Sequence, residues 1–304
     1  MKSDAASPTD RFLSARHRHS GMEGPLWIDA HAPALDEIRQ DEARERLERA
    51  VDEPMNLVVQ GPPGVGKTAA ARALDPIEPA PWAERTAAAH ADYLAWNTPP
   101  EPEQRAGYVD MGQVMGWLRT RLPADAVICN GAGNYAAWVH RFHQFRHYRS
   151  QLAPTSGSMG YGVPAAIGAK LAAPDQEVVC FDGDGSFLMT VQGLSVAVRE
   201  QLDITYVVLN NEAVGMVRQW QDGFYEGRRM ASEYPWIPQF DMLAEAFGAR
   251  GFTLESYENV EETIQEARDY DGPSVIDAHI DPGENVFPMV PSGGDNGLFA
   301  LNED

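Results

Sequence analysis

The sequence predicts an α/β protein: a mainly parallel sheet with helices on both faces, preceded by a short phosphate-loop fragment. Three observations carry this. Short apolar runs (AVIC, EVVCF, ITYVVL, PSVIDAH) alternate with longer helical patterns between 109 and 286. That is the pattern of strands buried on both faces and joined by helices. Glycine- and asparagine-rich turns directly follow two of the runs, at GDGSF (183–187) and NNEAVGM (210–216). A strand, a glycine loop and a helix start also succeed one another near the N-terminus, in MNLVVQ, GPPGVGKT and TAAARAL, the context a phosphate loop requires.

Taken in order, residues 1–20 read as a flexible polar leader without the apolar stretch of a signal peptide. Residues 21–74 form a truncated phosphate-loop fragment. Here PLWIDAHAPALDEI leads into an amphipathic helix, DEARERLERAV, and then into the strand and loop. Residues 75–108 read as a proline-rich linker, where DPIEPAPW and NTPPEPEQ bracket one helix, AERTAAAHADYLAW.

Residues 109–290 read as one α/β domain of about six strands. DMGQVMGWLRTRL, NYAAWVHRFHQFRHY, SMGYGVPAAIGAKLA and FLMTVQGLSVAVREQ are helical patterns between the strands AVICN, EVVCFDGDG and ITYVVLNNE. FDMLAEAFGA, GFTL, NVEETIQEARDY and PSVIDAHID follow as helix, strand, helix, strand. Residues 291–304 form a loose tail.

Composition narrows the function classes. The 304 residues can hold two ordinary domains or one large one, and 43% hydrophobic content supports a true core. No apolar run approaches the roughly 18 residues of a membrane span, so no membrane partner is expected and the cytoplasm is the default location. The net charge of −21 argues against nucleic acid as a partner. Lys2, Lys67 and Lys170 are the only lysines; so acidic and lysine-poor a chain suggests a halophilic composition, in which salt screens self-repulsion. Cys129 and Cys180 sit in apolar runs and read as buried, reduced thiols.

The strongest signal is the pair of turns. Asp184 and Asn211 are 27 positions apart, about one helix plus one strand. They fall at the carboxyl ends of two strands that could be neighbours, where ligands bind in such sheets. A carboxylate and an amide oxygen are hard ligands suited to Mg²⁺ held together with substrate phosphates. Gly183 and Gly185 allow the backbone to approach a diphosphate. Ser186 opens the following helix, where an anion is favoured.

GDG followed some two dozen residues later by NN resembles the cofactor motif of thiamine-diphosphate enzymes. NNEAVGMVRQWQDGFYEGR, DMLAEAFGARG and ENVFPMVPSGG resemble the C-terminal domain of the acetolactate synthase large subunit. LAPTSGSMGYGVPAAIGAK resembles the matching segment of that wider family. The resemblance runs from about 110 to 295.

It implies that Asp184, Asn211 and the carbonyl of Ala213 hold Mg²⁺, and that Gly185 and Ser186 touch the diphosphate of thiamine diphosphate. Gly133, Asn134 and Tyr135 match a position where the family's Gly-Gln-His contacts the diphosphate. The Asn-Tyr pair departs from that pattern. Gly157 would support the aminopyrimidine and Met159 the bent cofactor. Gly215 and Met216 would line the cofactor wall, and Trp220 would help choose the second 2-ketoacid.

The implied activity is pyruvate decarboxylation with transfer of the two-carbon unit to a second 2-ketoacid, in branched-chain amino-acid biosynthesis. In the family a glutamate from a separate N-terminal domain activates the cofactor, and a middle domain holds FAD. Neither pattern is recognised here, so FAD is not expected and no catalytic residue is assigned. A homo-oligomer, or a partner supplying the missing domain, is expected. The alternative is an inactive cofactor-binding or assembly module.

GPPGVGKT contributes Gly61, Gly66, Lys67 and Thr68. With PLWIDAHAPALDEI it resembles the opening of an archaeal clamp-loader small subunit (replication factor C) over about 22–74. A phosphate-loop ATPase is thus a further alternative. Such an enzyme also needs an acidic strand end, a residue to orient water and an arginine. The proline run at 76–81 breaks the helix after the loop early, so ATP is not expected. The chain reads as composite, with a joint near Leu74 and Asp75 and a subtler change near Asp182. His140, His143 and His147 are spaced to place two or three on one helical face, as a mixed surface helix or a metal site. The acidic run at 255–271 reads as a solvated face.

Overall fold

The computed structural model describes residues 26–29, 57–60, 82–101 and 105–290. The chain divides into two compact units, 1–87 and 88–304. In the first, β1 (Leu26–Asp29) and β2 (Leu57–Gln60) pair in parallel, with Leu26 opposite Leu57. β2 is the strand expected in MNLVVQ, whereas β1 forms where only a lead into a helix was expected. The helix expected in DEARERLERAV and the phosphate loop lie outside the described residues.

The second unit is built on a six-stranded sheet of order β4-β3-β5-β6-β8-β7, parallel at every pairing. Its strands are β3 (Val127–Asn130), β4 (Gln151–Leu152), β5 (Val178–Gly183), β6 (Ile204–Asn210), β7 (Arg250–Leu254) and β8 (Ser274–His279). Every residue of β3, β5 and β6 is buried. Successive side chains feed opposite cores. Val179, Phe181, Val207 and Leu209 enter one core, and Val178, Cys180, Tyr206 and Val208 the other. Cys129 and Cys180 are free and buried, as expected.

The first core is closed by α2 (Met111–Arg121), α3 (Tyr135–Phe142) and α9 (Val260–Asp269). Met111, Val114, Met115 and Leu118 of α2 are buried at helical spacing, and the Asp110 side chain caps the helix by accepting from the Gln113 N–H at 3.0 Å. The second core is closed by α4 (Gly162–Ala172), α5 (Asp184–Thr190), α6 (Leu194–Arg199) and α8 (Phe240–Phe247). The sheet is therefore covered on both faces. No described helix is long and apolar enough to cross a membrane.

Three segments depart from expectation. The helix expected over 134–148 stops at Phe142, and His143 is already extended at φ −77° and ψ 133°. The chain must turn there to bring Ser150 and β4 to the edge of β3, where the Ile128 N–H donates to the Ser150 carbonyl at 2.9 Å. The helix expected over 187–201 breaks at a 3-10 turn, Val191–Gly193. A Cβ on Gly193 would lie 2.9 Å from Val163 Cγ1, so the packing of α4 governs this bend. Finally, α7 (Gly215–Phe224) forms where only a turn motif had been read.

Within the stretch read as a linker, α1 (Ala83–Trp96) forms as expected and has no buried residue. The residue after it is fixed, however. Asn97 is 1% exposed, its carbonyl accepts from Arg119 at 2.7 Å and its Oδ1 from Gln144 at 2.7 Å. The Arg141 guanidinium lies 3.6 Å from the centre of the Trp96 ring.

Candidate cofactor site

β5 and β6 are neighbours, with Gly183 opposite Leu209. Asp184 and Asn211 each follow the last residue of their strand, so both stand at the carboxyl edge of the sheet. Asp184 is 3% exposed. Its Oδ1 accepts from the Gly185 N–H at 2.6 Å, and its Oδ2 from the Ala213 N–H at 3.3 Å. Asn211 Oδ1 accepts from that same Ala213 N–H at 3.3 Å. Two hard oxygens thus converge at one point of the backbone.

Burial pushes the Asp184 carboxyl up to about 7, against the backbone hydrogen bonds of Gly185, Ala213, Asn211 and Glu212, which hold it down. A divalent cation at this point would offset the cost of the buried charge, so the donor set fits Mg²⁺.

Gly215 completes this corner. A Cβ there would lie 2.8 Å from Asn211 Nδ2 and 3.8 Å from Asn134 Nδ2. Asn134 Nδ2 donates to Gln219 Oε1 at 3.0 Å, while its buried Oδ1 has no hydrogen-bond partner among the described residues. Gln219, buried on α7, also donates to the Val286 carbonyl at 2.9 Å and accepts from the Val286 N–H at 3.1 Å. The segment ENVFPMV is thereby tied to the edge of the site.

Tyr135 is 7% exposed and lies under the glycines. A Cβ on Gly133 would lie 2.6 Å from its Cε1, and one on Gly183 2.8 Å. Its hydroxyl donates to Asp182 Oδ1 at 2.7 Å and lies 3.5 Å from Ser186 Oγ. Ser186 in turn accepts from the Gly160 N–H at 2.8 Å. Tyr135 and Ser186 thus face inward and hold the loops together. Burial raises the Asp182 carboxyl to about 6, although Ser186 and Tyr135 lower it. Burial and then the Asp182 charge push the Tyr135 phenol above its usual range.

Asp184, Gly185, Asn211, Ala213, Gly215 and Asn134 come together at one corner. Met159 is half-buried, and Gly157, at φ +67°, is exposed. Met216 and Trp220 lie one helical turn apart on α7, 39% and 42% exposed. Gly61, Gly66, Lys67 and Thr68 lie outside the described residues. Of the three histidines only His140 lies within α3, so they share no helical face. No cluster of three or more His, Cys, Asp or Glu among the described residues could hold a metal.

Sequence reasoning missed Asp182, Gln219 and Tyr234. Asp182 immediately precedes GDG, and Gln219 follows Gly215 by one helical turn. Tyr234 carries no local signal, because it reaches the site only through tertiary pairing. The Tyr234 N–H donates to the Glu212 carbonyl at 2.8 Å, and the Val214 N–H to the Ser232 carbonyl at 2.8 Å. An isolated antiparallel bridge joins Ala213 to Glu233.

Fold and site together are similar to those of the cofactor domain of thiamine pyrophosphate enzymes. Residues 131–278 match the family model described as thiamine pyrophosphate enzyme, C-terminal TPP binding domain. The relatives point to one kind of enzyme. The chain is 41% identical over 182 residues to the acetolactate synthase isozyme 2 large subunit of Escherichia coli (strain K12), a match covering 59% of this chain and 33% of that protein. It is 37% identical over 185 residues to the acetolactate synthase large subunit of Pyropia yezoensis, covering 60% and 31%. The matched part thus spans about a third of the length of these relatives. The crystal structure of benzoylformate decarboxylase from Polynucleobacter necessarius superposes with a TM-score of 0.54 at 23% identity, over 62% of this chain and 36% of that one. That likeness concerns the fold alone.

Proposed function

We propose that this chain binds thiamine diphosphate through Mg²⁺ and serves 2-ketoacid chemistry of the acetolactate synthase type. The observation that carries the reading is the convergence of Asp184 Oδ2 and Asn211 Oδ1 on the Ala213 amide, at the carboxyl edge of adjacent parallel strands. Asp184 and Asn211 would hold the cation with the Ala213 carbonyl. The Gly185 backbone and the unpartnered Asn134 Oδ1 would lie toward the diphosphate, the latter through water or metal because it can only accept.

When bound, the cofactor supplies the electron sink for decarboxylation. The chain's own residues bind and orient it. Tyr135 and Ser186 brace the glycine loops from beneath. Met159, Gly157 and Met216 would wall the rings, and Trp220 would face the second 2-ketoacid. The glutamate that activates the cofactor in the resembled enzymes would come from an N-terminal domain, joined to this one or supplied by a partner chain in the cytoplasm.

Calorimetric titration of the purified chain tests this. Saturable thiamine diphosphate binding is expected only with Mg²⁺ present. Asp184→Ala and Asn211→Ala should each weaken it by at least about tenfold, roughly 1.4 kcal/mol. Binding that ignores Mg²⁺, or survives Asp184→Ala intact, refutes the metal assignment.

A further inference from the structure

The segment after α7 returns to the site. Ser232, Glu233 and Tyr234 run antiparallel to Glu212, Ala213 and Val214, held by two backbone hydrogen bonds of 2.8 Å and the Ala213–Glu233 bridge. Arg229 pins the approach to this strap, pairing with Asp222 at 2.7 Å and with Glu233 at 2.6 Å. The Gln221 side chain adds three more ties, accepting from the Ser232 hydroxyl at 2.6 Å and the Met230 N–H at 3.2 Å and donating to the Met230 carbonyl at 3.1 Å. The strap is therefore fixed to the loop that carries Asn211 and Ala213, and Tyr234 is its last paired residue.

The Tyr234 side chain reaches Gly185. Its hydroxyl stands so close to Gly185 that a Cβ there would collide with it, and the ring's Cζ would be 3.1 Å away. Among the described residues its hydroxyl has no hydrogen-bond partner, although the residue is half-buried. A phenol held in that position without a protein partner is open to solvent and keeps its donor available to an anion.

We propose that Tyr234 is a phosphate-contacting residue: its hydroxyl donates to the diphosphate at Gly185, beside the cation. The assignment rests on the thiamine diphosphate reading and extends it to a residue outside both turn motifs. It also gives position 185 a second reason to be glycine, since a side chain there would displace the phenol as well as the ligand.

The test uses the purified full chain with Mg²⁺ and inorganic pyrophosphate as the probe, read by titration calorimetry. Thiamine diphosphate and unphosphorylated thiamine serve as companions. Tyr234→Phe keeps the ring and removes only the donor. It should weaken pyrophosphate and thiamine diphosphate about ten- to a hundredfold, in line with one lost hydrogen bond to a charged group, and leave thiamine unchanged.

Tyr234→Ala, checked for an unaltered circular dichroism spectrum, should weaken both phosphates at least as much. Equal affinity in Tyr234→Phe and wild type overturns the assignment, and tighter binding in Tyr234→Phe would show that the phenol obstructs the seat. Wild type that binds pyrophosphate but not thiamine diphosphate leaves the tyrosine's role standing and refutes the cofactor reading. Wild type that binds neither removes both.

Discussion

Tyr135 shows how one side chain can organise a loop cluster. Its ring fills the space that Gly133 and Gly183 leave, and its hydroxyl supplies the partner of Asp182 Oδ1. Asp182 is 1% exposed, and its Oδ2 has no partner among the described residues. Tyr135→Phe should therefore cost about 1–3 kcal/mol, because a buried carboxyl loses a side-chain donor. Urea denaturation of the two proteins measures it.

His143 supplies a pH-dependent counterpart. Burial, then Arg146 and Arg119, lower its pKa from 6.5 to about 4. The fold holds the imidazole neutral, while the unfolded chain protonates it below about 6.5. Its contribution to stability is present above that pH and is lost as pH falls toward 4. The raised carboxyls of Asp182 and Asp184 act in the opposite sense, so the comparison must isolate the histidine. His143→Phe should lose about 1–3 kcal/mol less stability than wild type between pH 7 and pH 4, by urea melts at both pH values. Identical losses would mean that the imidazole is solvated.

At the scale of elements, close approach decides where helices bend and strands start. β7 begins against the first turn of α8. A Cβ on Gly251 would run into the Asp241 carbonyl and lie 2.6 Å from its carbonyl carbon and 2.7 Å from its Cα. The obstacle is backbone, which cannot rotate aside. Gly251→Ala should destabilise the chain by roughly 2–3 kcal/mol through strain between α8 and β7. Gly168→Ala, with nothing within 4 Å of the added methyl, serves as the control and should be neutral or slightly stabilising on α4. Thermal melts that rank the two the other way would contradict the packing described.

For the whole molecule, charge dominates. A net −21 over 304 residues imposes self-repulsion that the compact state feels more than the unfolded chain. The Debye length falls from about 30 Å at 0.01 M salt to about 3 Å at 1 M. The melting temperature should rise by several degrees over that range of NaCl, as followed by differential scanning fluorimetry. A flat or falling profile would show that local ion pairs, such as Arg268 with Glu177 at 2.7 Å, outweigh the global field.

The α/β class, the parallel strands, the buried cysteines and the placing of Asp184 and Asn211 at strand ends were legible in the sequence. Each depends on local periodicity or on the length of one intervening helix and strand. The sequence left open which strands pair, and the order β4-β3-β5-β6-β8-β7 comes from the tertiary structure. So do the bend at Gly193, the early end of α3 at Phe142, the inward turn of Tyr135, and the strap that brings Tyr234 to Gly185. These depend on contacts between residues far apart in the chain: Val163 beside Gly193, Ser150 on Ile128, Asp182 on Tyr135, Glu212 on Tyr234. Local propensity carries no information about such partners, because the free energy of each contact exists only once the sheet has brought both sides together.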